Sequence, residues 1–151
     1  MRGIGIGSEP RPHARRGWLS RNLVVLTVVS LTQDTASELL YPLLPVLLTG
    51  LLAAPPVVLG VTEAVADFTA GITRWLAGRW SDRRGRRPFV AAGYGFAAIG
   101  KVLGAAATVW PLVLAGRVVD RFGKGVRSAP RDALIAESVP AESLGRAFGF
   151  H

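Results

Sequence analysis

Residues 78–88, Gly-Arg-Trp-Ser-Asp-Arg-Arg-Gly-Arg-Arg-Pro, decide how this chain folds. Five of these eleven residues are arginine, and the stretch separates two long apolar segments, residues 57–77 and 89–110. Each segment reaches the roughly 20 residues that a helix needs to cross about 30 Å of hydrocarbon. The pattern therefore predicts two membrane helices joined by a basic loop.

Two further apolar segments, residues 23–48 and 112–139, flank this pair. The connections at residues 50–56 and 109–112 carry no charge, whereas residues 1–21 carry five arginines and one acid. Arginine thus alternates between the two sides of the predicted bundle, which is the positive-inside pattern of a chain with a cytoplasmic N-terminus. A soluble helical bundle or a nucleic-acid binder has no reason to alternate in this way. We therefore assign the net charge of +8 to membrane-flanking loops.

The composition excludes several kinds of site. Half of the residues are apolar, and the chain contains no cysteine, so disulfides and thiolate metal sites are impossible. The two histidines, His13 and His151, lie at opposite ends without neighbouring metal ligands. No nucleophile–base pair is visible. We expect no metal, no cofactor, no nucleic-acid partner and no enzymatic activity.

The basic loop carries a recognisable motif. Residues 78–87 match the pattern G-x-x-x-D-R-x-G-R-R, and the chain therefore resembles the major facilitator superfamily, whose signature lies in the cytoplasmic loop between helices 2 and 3. Residues 121–125 resemble the superfamily's helix-4 pattern. The sequence departs from this pattern at Arg127, where the pattern prefers a small residue. The wider stretch from Val118 onward resembles an uncharacterised bacterial branch, in which a fifth helix starts near Phe148.

The resemblance implies the fold. We expect an all-α membrane protein with four transmembrane helices from an N-terminal six-helix half-bundle, in a chain that is apparently truncated. Residues 1–21 would be a disordered basic cytoplasmic tail, and residues 22–151 a partial transmembrane domain in a bacterial inner (plasma) membrane. The expected partners are the lipid bilayer and either the missing C-terminal helices or a complementary half.

The motif residues have individual roles in this interpretation. Glycine at a helix end lets another helix approach closely, and glycine in a loop permits a tight turn. Arginines at the membrane surface can reach acidic partners or anionic lipid headgroups. The resemblance implies that Asp82 holds two six-helix halves together in the outward-open state, with Arg83 and Arg87 in its network. The predicted conformational-switch motif consists of Gly78, Asp82, Arg83, Gly85, Arg86 and Arg87.

Ionisable residues inside the predicted spans form a second group. Such residues are costly in hydrocarbon, so they face a cavity or the bundle interior. Asp34 and Glu38 lie four residues apart and share a helix face, as do Glu63 and Asp67. On segment four, the charged residues fall within one arc of the helix. The predicted substrate and proton cavity contains Asp34, Glu38, Glu63, Asp67, Lys101, Arg117, Arg121 and Lys124.

Two interpretations of these charges remain open at this stage. The five interior carboxylates and five interior cations between Asp34 and Lys124 are balanced in number, as an ion-pair network that only holds the bundle together would require. Apolar packing does that more simply, however, because buried ion pairs are weak stabilisers. A water-accessible transport cavity therefore accounts better for the set, with Asp34 or Glu38 carrying a coupled proton.

The sequence thus predicts a secondary active transporter, proton-coupled, that moves a small organic solute by alternating access. The alternative is a standalone four-helix membrane protein that binds partners or oligomerises without transport. Gly93, Gly100 and Gly104 form a stripe for close packing of another helix, and Pro42 and Pro45 bend the outer half of segment one. The substrate and the direction of transport do not follow from the sequence.

Overall fold

The computed structural model describes residues 19–151, and nearly all of the tail predicted at residues 1–21 lies outside this range. The described part of the chain consists of helices and turns without a β-strand, which confirms the all-α class. The α-helices are α1 (Arg21–Leu40), α2 (Leu43–Pro45), α3 (Pro56–Arg84), α4 (Arg87–Ala105), α5 (Trp110–Ser138) and α6 (Leu144–Phe150). A π-helical segment, Val46–Leu51, follows α2, and a 3₁₀ turn, Ala141–Ser143, precedes α6.

Local sequence explains where the long helices begin. The Ser20 hydroxyl accepts a hydrogen bond from the Leu23 amide at 3.1 Å and caps α1. Helices α3, α4 and α5 each carry a proline in the first turn, Pro56, Pro88 and Pro111 respectively. Proline is favoured there because the first amides of a helix have no intrahelical acceptor.

The first predicted segment, residues 23–48, is not one continuous α-helix. It ends as α1 at Leu40, turns at Tyr41–Pro42, and continues through α2 into the π-helical segment. Pro42 and Pro45 lack the amide that would continue the α-helical hydrogen bonds, which explains the interruption. The bend predicted from these two prolines is therefore a change of helix type.

Other boundaries also differ from the predicted ones. Helix α3 runs through to Arg84, so most of the motif at residues 78–87 is helical and not loop, because residues 79–84 contain neither glycine nor proline. Gly85 adopts φ +89° and ψ 146°, a conformation that glycine tolerates best, and it makes the turn into α4. Helix α6 begins at Leu144, one turn earlier than the start predicted near Phe148.

Among residues 19–151, three helices are long and apolar enough to cross a membrane: α1, α3 and α4. Helix α5 has 29 residues and is about 43 Å long, which also exceeds the hydrocarbon thickness. It lies outside that group because of its many charged residues, and not because of its length. Whether α5 can cross therefore depends on where its charges point.

Helix α5 is the central element of the described bundle, because α3 and α4 both pack along it. Its contact with α4 is backbone against backbone. A Cβ atom built on Gly93 would lie 2.6 Å from Cβ of Arg127, and one on Gly116 would lie 2.7 Å from the Gly104 amide nitrogen. The close packing predicted at Gly93 and Gly100 is therefore confirmed, with α5 as the neighbouring helix, whereas a Cβ atom on Gly104 would meet no other atom of residues 19–151 within 4 Å.

This close approach generates a prediction on two glycines of α4. Gly93→Ala places a methyl group against the α5 backbone and should lower the free energy of unfolding by about 1 to 3 kcal/mol, the usual cost of overpacking. Gly95 has open space around it, so Gly95→Ala should be neutral or stabilise by up to about 1 kcal/mol. Unfolding of both variants in detergent micelles tests the packing, and equal stabilities would contradict it.

Candidate functional site

The charged residues of α5 recur every three or four positions and therefore share one side of the helix. The residues on this side are Arg117, Asp120, Arg121, Lys124, Arg127 and Arg131. On the other side, Phe122 meets Phe96 of α4 edge to face, with ring centroids 5.2 Å apart. The charged side is not directed at one neighbour, since its residues reach three different helices.

Towards α3, the central contact is the pair Arg117–Glu63. Arg117 donates through Nε and Nη2 to the two carboxylate oxygens of Glu63, at 2.8 and 3.1 Å. This bidentate geometry is the strongest arrangement of an arginine–carboxylate pair. Arg121 lies 3.8 Å from Glu63 and 3.5 Å from Asp67, whose side chain is largely exposed. Both carboxylates predicted on segment two are therefore paired with α5.

Towards α4, the contact is Lys101–Asp120. The Lys101 ammonium donates to Asp120 at 2.6 Å, and Arg117 approaches the other carboxylate oxygen at 3.9 Å. Together with the α3 pairs, this forms a continuous row in which the signs alternate across the bundle. The row consists of Lys101, Asp120, Arg117, Glu63, Arg121 and Asp67. Because the signs alternate, the row neutralises itself inside the protein.

Towards α1, the contact is Arg127–Asp34. Arg127 donates from Nη2 to Asp34 at 2.9 Å, and its guanidinium lies over the ring of Tyr94 at 4.5 Å from the centroid. The Tyr94 hydroxyl shares a hydrogen bond of 2.8 Å with Ser30, which also accepts from Arg131 at 3.2 Å. This cluster joins α1, α4 and α5 at the middle of α1.

The structure brings most of the predicted cavity residues together and leaves two apart. Asp34, Glu63, Asp67, Lys101, Arg117 and Arg121 all form ion pairs with a neighbouring helix. Glu38 is exposed and Lys124 is partly buried, and neither forms an ion pair within residues 19–151. Asp34 and Glu38 share a helix face, but Asp34 is partly buried and paired with Arg127, whereas Glu38 is exposed.

Two residues of the cluster were not predicted as site residues. Arg127 is the partner of Asp34, although in sequence it only marks a departure from the superfamily's helix-4 pattern. Its place in the charged arc of α5 was the signal that could have identified it. Tyr94 gave no such signal, because nothing in the sequence around one tyrosine predicts stacking on an arginine of another helix.

The motif residues lie at one end of the bundle. Asp82 accepts from Arg86 at 3.2 Å, and Arg86 also pairs with Glu137 of α5. These hydrogen bonds, first that to Asp82 and then that to Glu137, raise the pKa of the Arg86 guanidinium. Gly78 lies against Ala129, where an added Cβ would be 3.4 Å away. The motif thus ties the α3–α4 turn to the end of α5.

Within the described chain, Asp82 is paired with another residue of the motif, Arg86. Arg83 and Arg87 are exposed and form no ion pair in the described part of the chain, so the network of Asp82 runs through Arg86. The reason is the spacing, because Arg86 follows Asp82 by four residues across the Gly85 turn and returns to the same side.

The sequence model of the Major Facilitator Superfamily matches residues 26–151. This chain belongs to the major facilitator superfamily. It is 36% identical over 132 residues to an uncharacterized MFS-type transporter of Methanocaldococcus jannaschii, and the aligned region covers 87% of this chain and 33% of that relative. The chain therefore spans about a third of the length of this relative. No solved structure matches the chain significantly.

Ionisable residues in membrane-spanning helices are costly unless they are paired or hydrated, and most of those in this bundle are paired. An open cavity of about 330 Å³ adjoins the row of charges. Leu40, Leu44, Leu47 and Val113 contribute to its apolar walls, and Lys101, Arg117 and Asp120 line its polar side.

Proposed function

We propose that this chain forms part of a secondary active transporter that moves a small organic solute across the membrane by alternating access, driven by protons. The observation that carries the proposal is the set of ion pairs by which α5 contacts α1, α3 and α4. Ionisable groups at this depth are expensive and occur mainly where ions or solutes pass. A bundle that only had to be stable would use apolar contacts there.

The contacts between α1 and α5 support the proposal that α1 moves during transport. Its contacts at the two ends are apolar, with Leu23 packed near Ile135 at one end and Leu44 near Val113 beyond the other. Between these clusters, α1 meets α5 through Asp34–Arg127 and Ser30–Arg131. Helices α4 and α5, in contrast, contact backbone to backbone. We infer that α1 shifts relative to a rigid α4–α5 pair, with the polar contacts exchanging between two arrangements.

Asp34 is the carboxylate that we propose for the coupled proton. A proton drives a conformational change only if it binds one arrangement better than the other. Protonation of Asp34 removes the partner of Arg127 and so weakens the α1–α5 contact, whereas protonation of Glu38 breaks no ion pair of the described chain. The charged or titratable groups around Asp34 are Arg127, Arg131, Asp132, Tyr94 and His151.

The orientation that we propose places the N-terminus in the cytoplasm. It is supported by the arginines at the α3–α4 turn, which cluster at the end of the bundle that also holds Glu137 and the start of α1. The turn between the π-helical segment and α3 would then lie on the other side of the membrane.

The coupling proposal predicts different effects for two carboxylates of α1. In a complete transporter that contains this chain, Asp34→Asn should abolish proton-driven uphill transport and keep solute exchange, because it fixes the protonated arrangement. Glu38→Gln, one turn away, is the matched control and should keep uphill transport. Transport into proteoliposomes with and without a pH gradient measures both. Uphill transport that survives Asp34→Asn, or fails only in Glu38→Gln, would contradict the assignment.

The orientation predicts from which side of the membrane an introduced cysteine can be labelled. The chain contains no native cysteine that would react with the same reagent. A cysteine at Arg84 should react with an impermeant thiol reagent only from the cytoplasmic side, and one at Ala53 only from the opposite side. Both residues are exposed. Labelling of both from the same side of intact cells would show that the orientation or the number of crossings is wrong.

A further inference from the structure

Arg127 is the most deeply buried charged side chain among the ion pairs of the described bundle, with 2% of its side chain exposed. Its guanidinium carries donors on three nitrogens, and only Nη2 has an acceptor, the Asp34 carboxylate. Nε and Nη1 are fully buried, and no atom of residues 19–151 accepts a hydrogen bond from them. A buried donor without an acceptor costs about 1 to 3 kcal/mol, and more when it is charged. Burial of the Arg127 guanidinium with these two nitrogens unpaired in the described chain therefore lowers the free energy of unfolding.

The neighbouring unpaired group is also a donor. Gln33, which precedes Asp34 on α1, has a buried Nε2 without an acceptor. Asp34 itself is 41% exposed, so the one acceptor in contact with Arg127 reaches the surface of this bundle. Lys124, one turn before Arg127 on α5, adds a cation without an ion pair in the described range. Arg127 therefore presents more donors than the described residues around it supply acceptors.

We propose that Arg127 is the binding residue for the anionic group of the transported solute, so that the solute is a small organic anion such as a carboxylate or a phosphate ester. This inference rests on the proposed transport function and names its substrate class. Arginine fits because its planar fork binds two anionic oxygens at once. Tyr94, stacked on the guanidinium, fixes its plane.

The depth of Arg127 agrees with a substrate site. It precedes Glu137, at the motif end of the bundle, by ten residues of the same helix, which corresponds to about 15 Å. That is about half of the roughly 30 Å hydrocarbon thickness. A solute bound to Arg127 would therefore lie near the membrane midplane, between α1 and α5.

Asp34 is a competitor in this site. Nη2 has two hydrogens, one on each fork of the guanidinium, and Asp34 accepts from one of them at 2.9 Å. Asp34 therefore takes up one fork and shares the single positive charge of Arg127 with any anion on the other. An anion on the other fork repels the Asp34 carboxylate, and Asp34 relieves this repulsion when it accepts a proton from the surrounding water while the anion keeps its charge. One proton is thus taken up by Asp34 for each negative charge that binds to Arg127. The transfer of this proton from water to the carboxylate is the only covalent change.

Binding of probe anions to a complete transporter that contains this chain, purified in detergent, tests the site without any gradient. Sodium acetate and sodium phosphate should raise the thermal unfolding midpoint above that in sodium chloride at equal ionic strength and pH. Arg127→Gln should abolish this rise. Asp34→Asn should tighten anion binding by about tenfold, because it removes the negative charge that shares Arg127 with the anion. Arg74→Gln, which removes an exposed arginine of α3, is the control and should leave binding unchanged.

The outcomes separate this site from the transport mechanism. Equal anion binding by the wild type and Arg127→Gln, or unchanged binding in Asp34→Asn, would overturn the proposal, and the second comparison holds even if Arg127→Gln fails to fold. A midpoint that responds to phosphatidylglycerol but not to the soluble anions would assign Arg127 to a lipid headgroup and overturn it as well. Normal anion binding without proton-driven uptake would support the site and contradict only the coupling.

Discussion

A helix cannot turn a row of charged side chains towards hydrocarbon, and the rest of this structure depends on how α5 meets that constraint. Its charged side is directed into the bundle, where α1, α3 and α4 supply partners of opposite charge or hydroxyl groups. Because α5 has charges along much of its length, one neighbour is not enough, and α5 occupies the centre. The position of the other long helices follows from this requirement.

The glycines of α4 and α5 serve the same requirement by setting distances. Lys101 reaches Asp120 at 2.6 Å because the backbones of α4 and α5 touch at Gly100 and Gly116. Small residues at a membrane helix interface permit such contact where larger ones would separate the helices. The α1–α5 seam has no such glycines, and there the polar contacts carry the interaction. This difference separates a rigid pair of helices from a helix that can shift.

The sequence predicted the parts of this arrangement that follow from periodicity. The spacing of Glu63 and Asp67, and the arc of charges on α5, indicated interior faces, and within residues 19–151 the structure pairs all of these charges except Lys124. Pairing across helices, such as Asp34 with Arg127, was not predictable, because it depends on the rotation and depth of α1 relative to α5. The extension of α3 through Arg84 was missed because its arginines were attributed to a loop, although arginine is a good helix former.

The account depends most directly on the claim that the charges of α5 are stabilised by specific partners inside the bundle. A double-mutant cycle on Glu63→Gln and Arg117→Gln measures this, with the free energy of unfolding of the chain in detergent micelles as the readout. Each single variant leaves one buried charge without its bidentate partner and should cost about 3 to 5 kcal/mol, whereas the double variant should cost clearly less than the sum. Costs that add to within about 0.5 kcal/mol would show that the two residues act independently and would contradict the account.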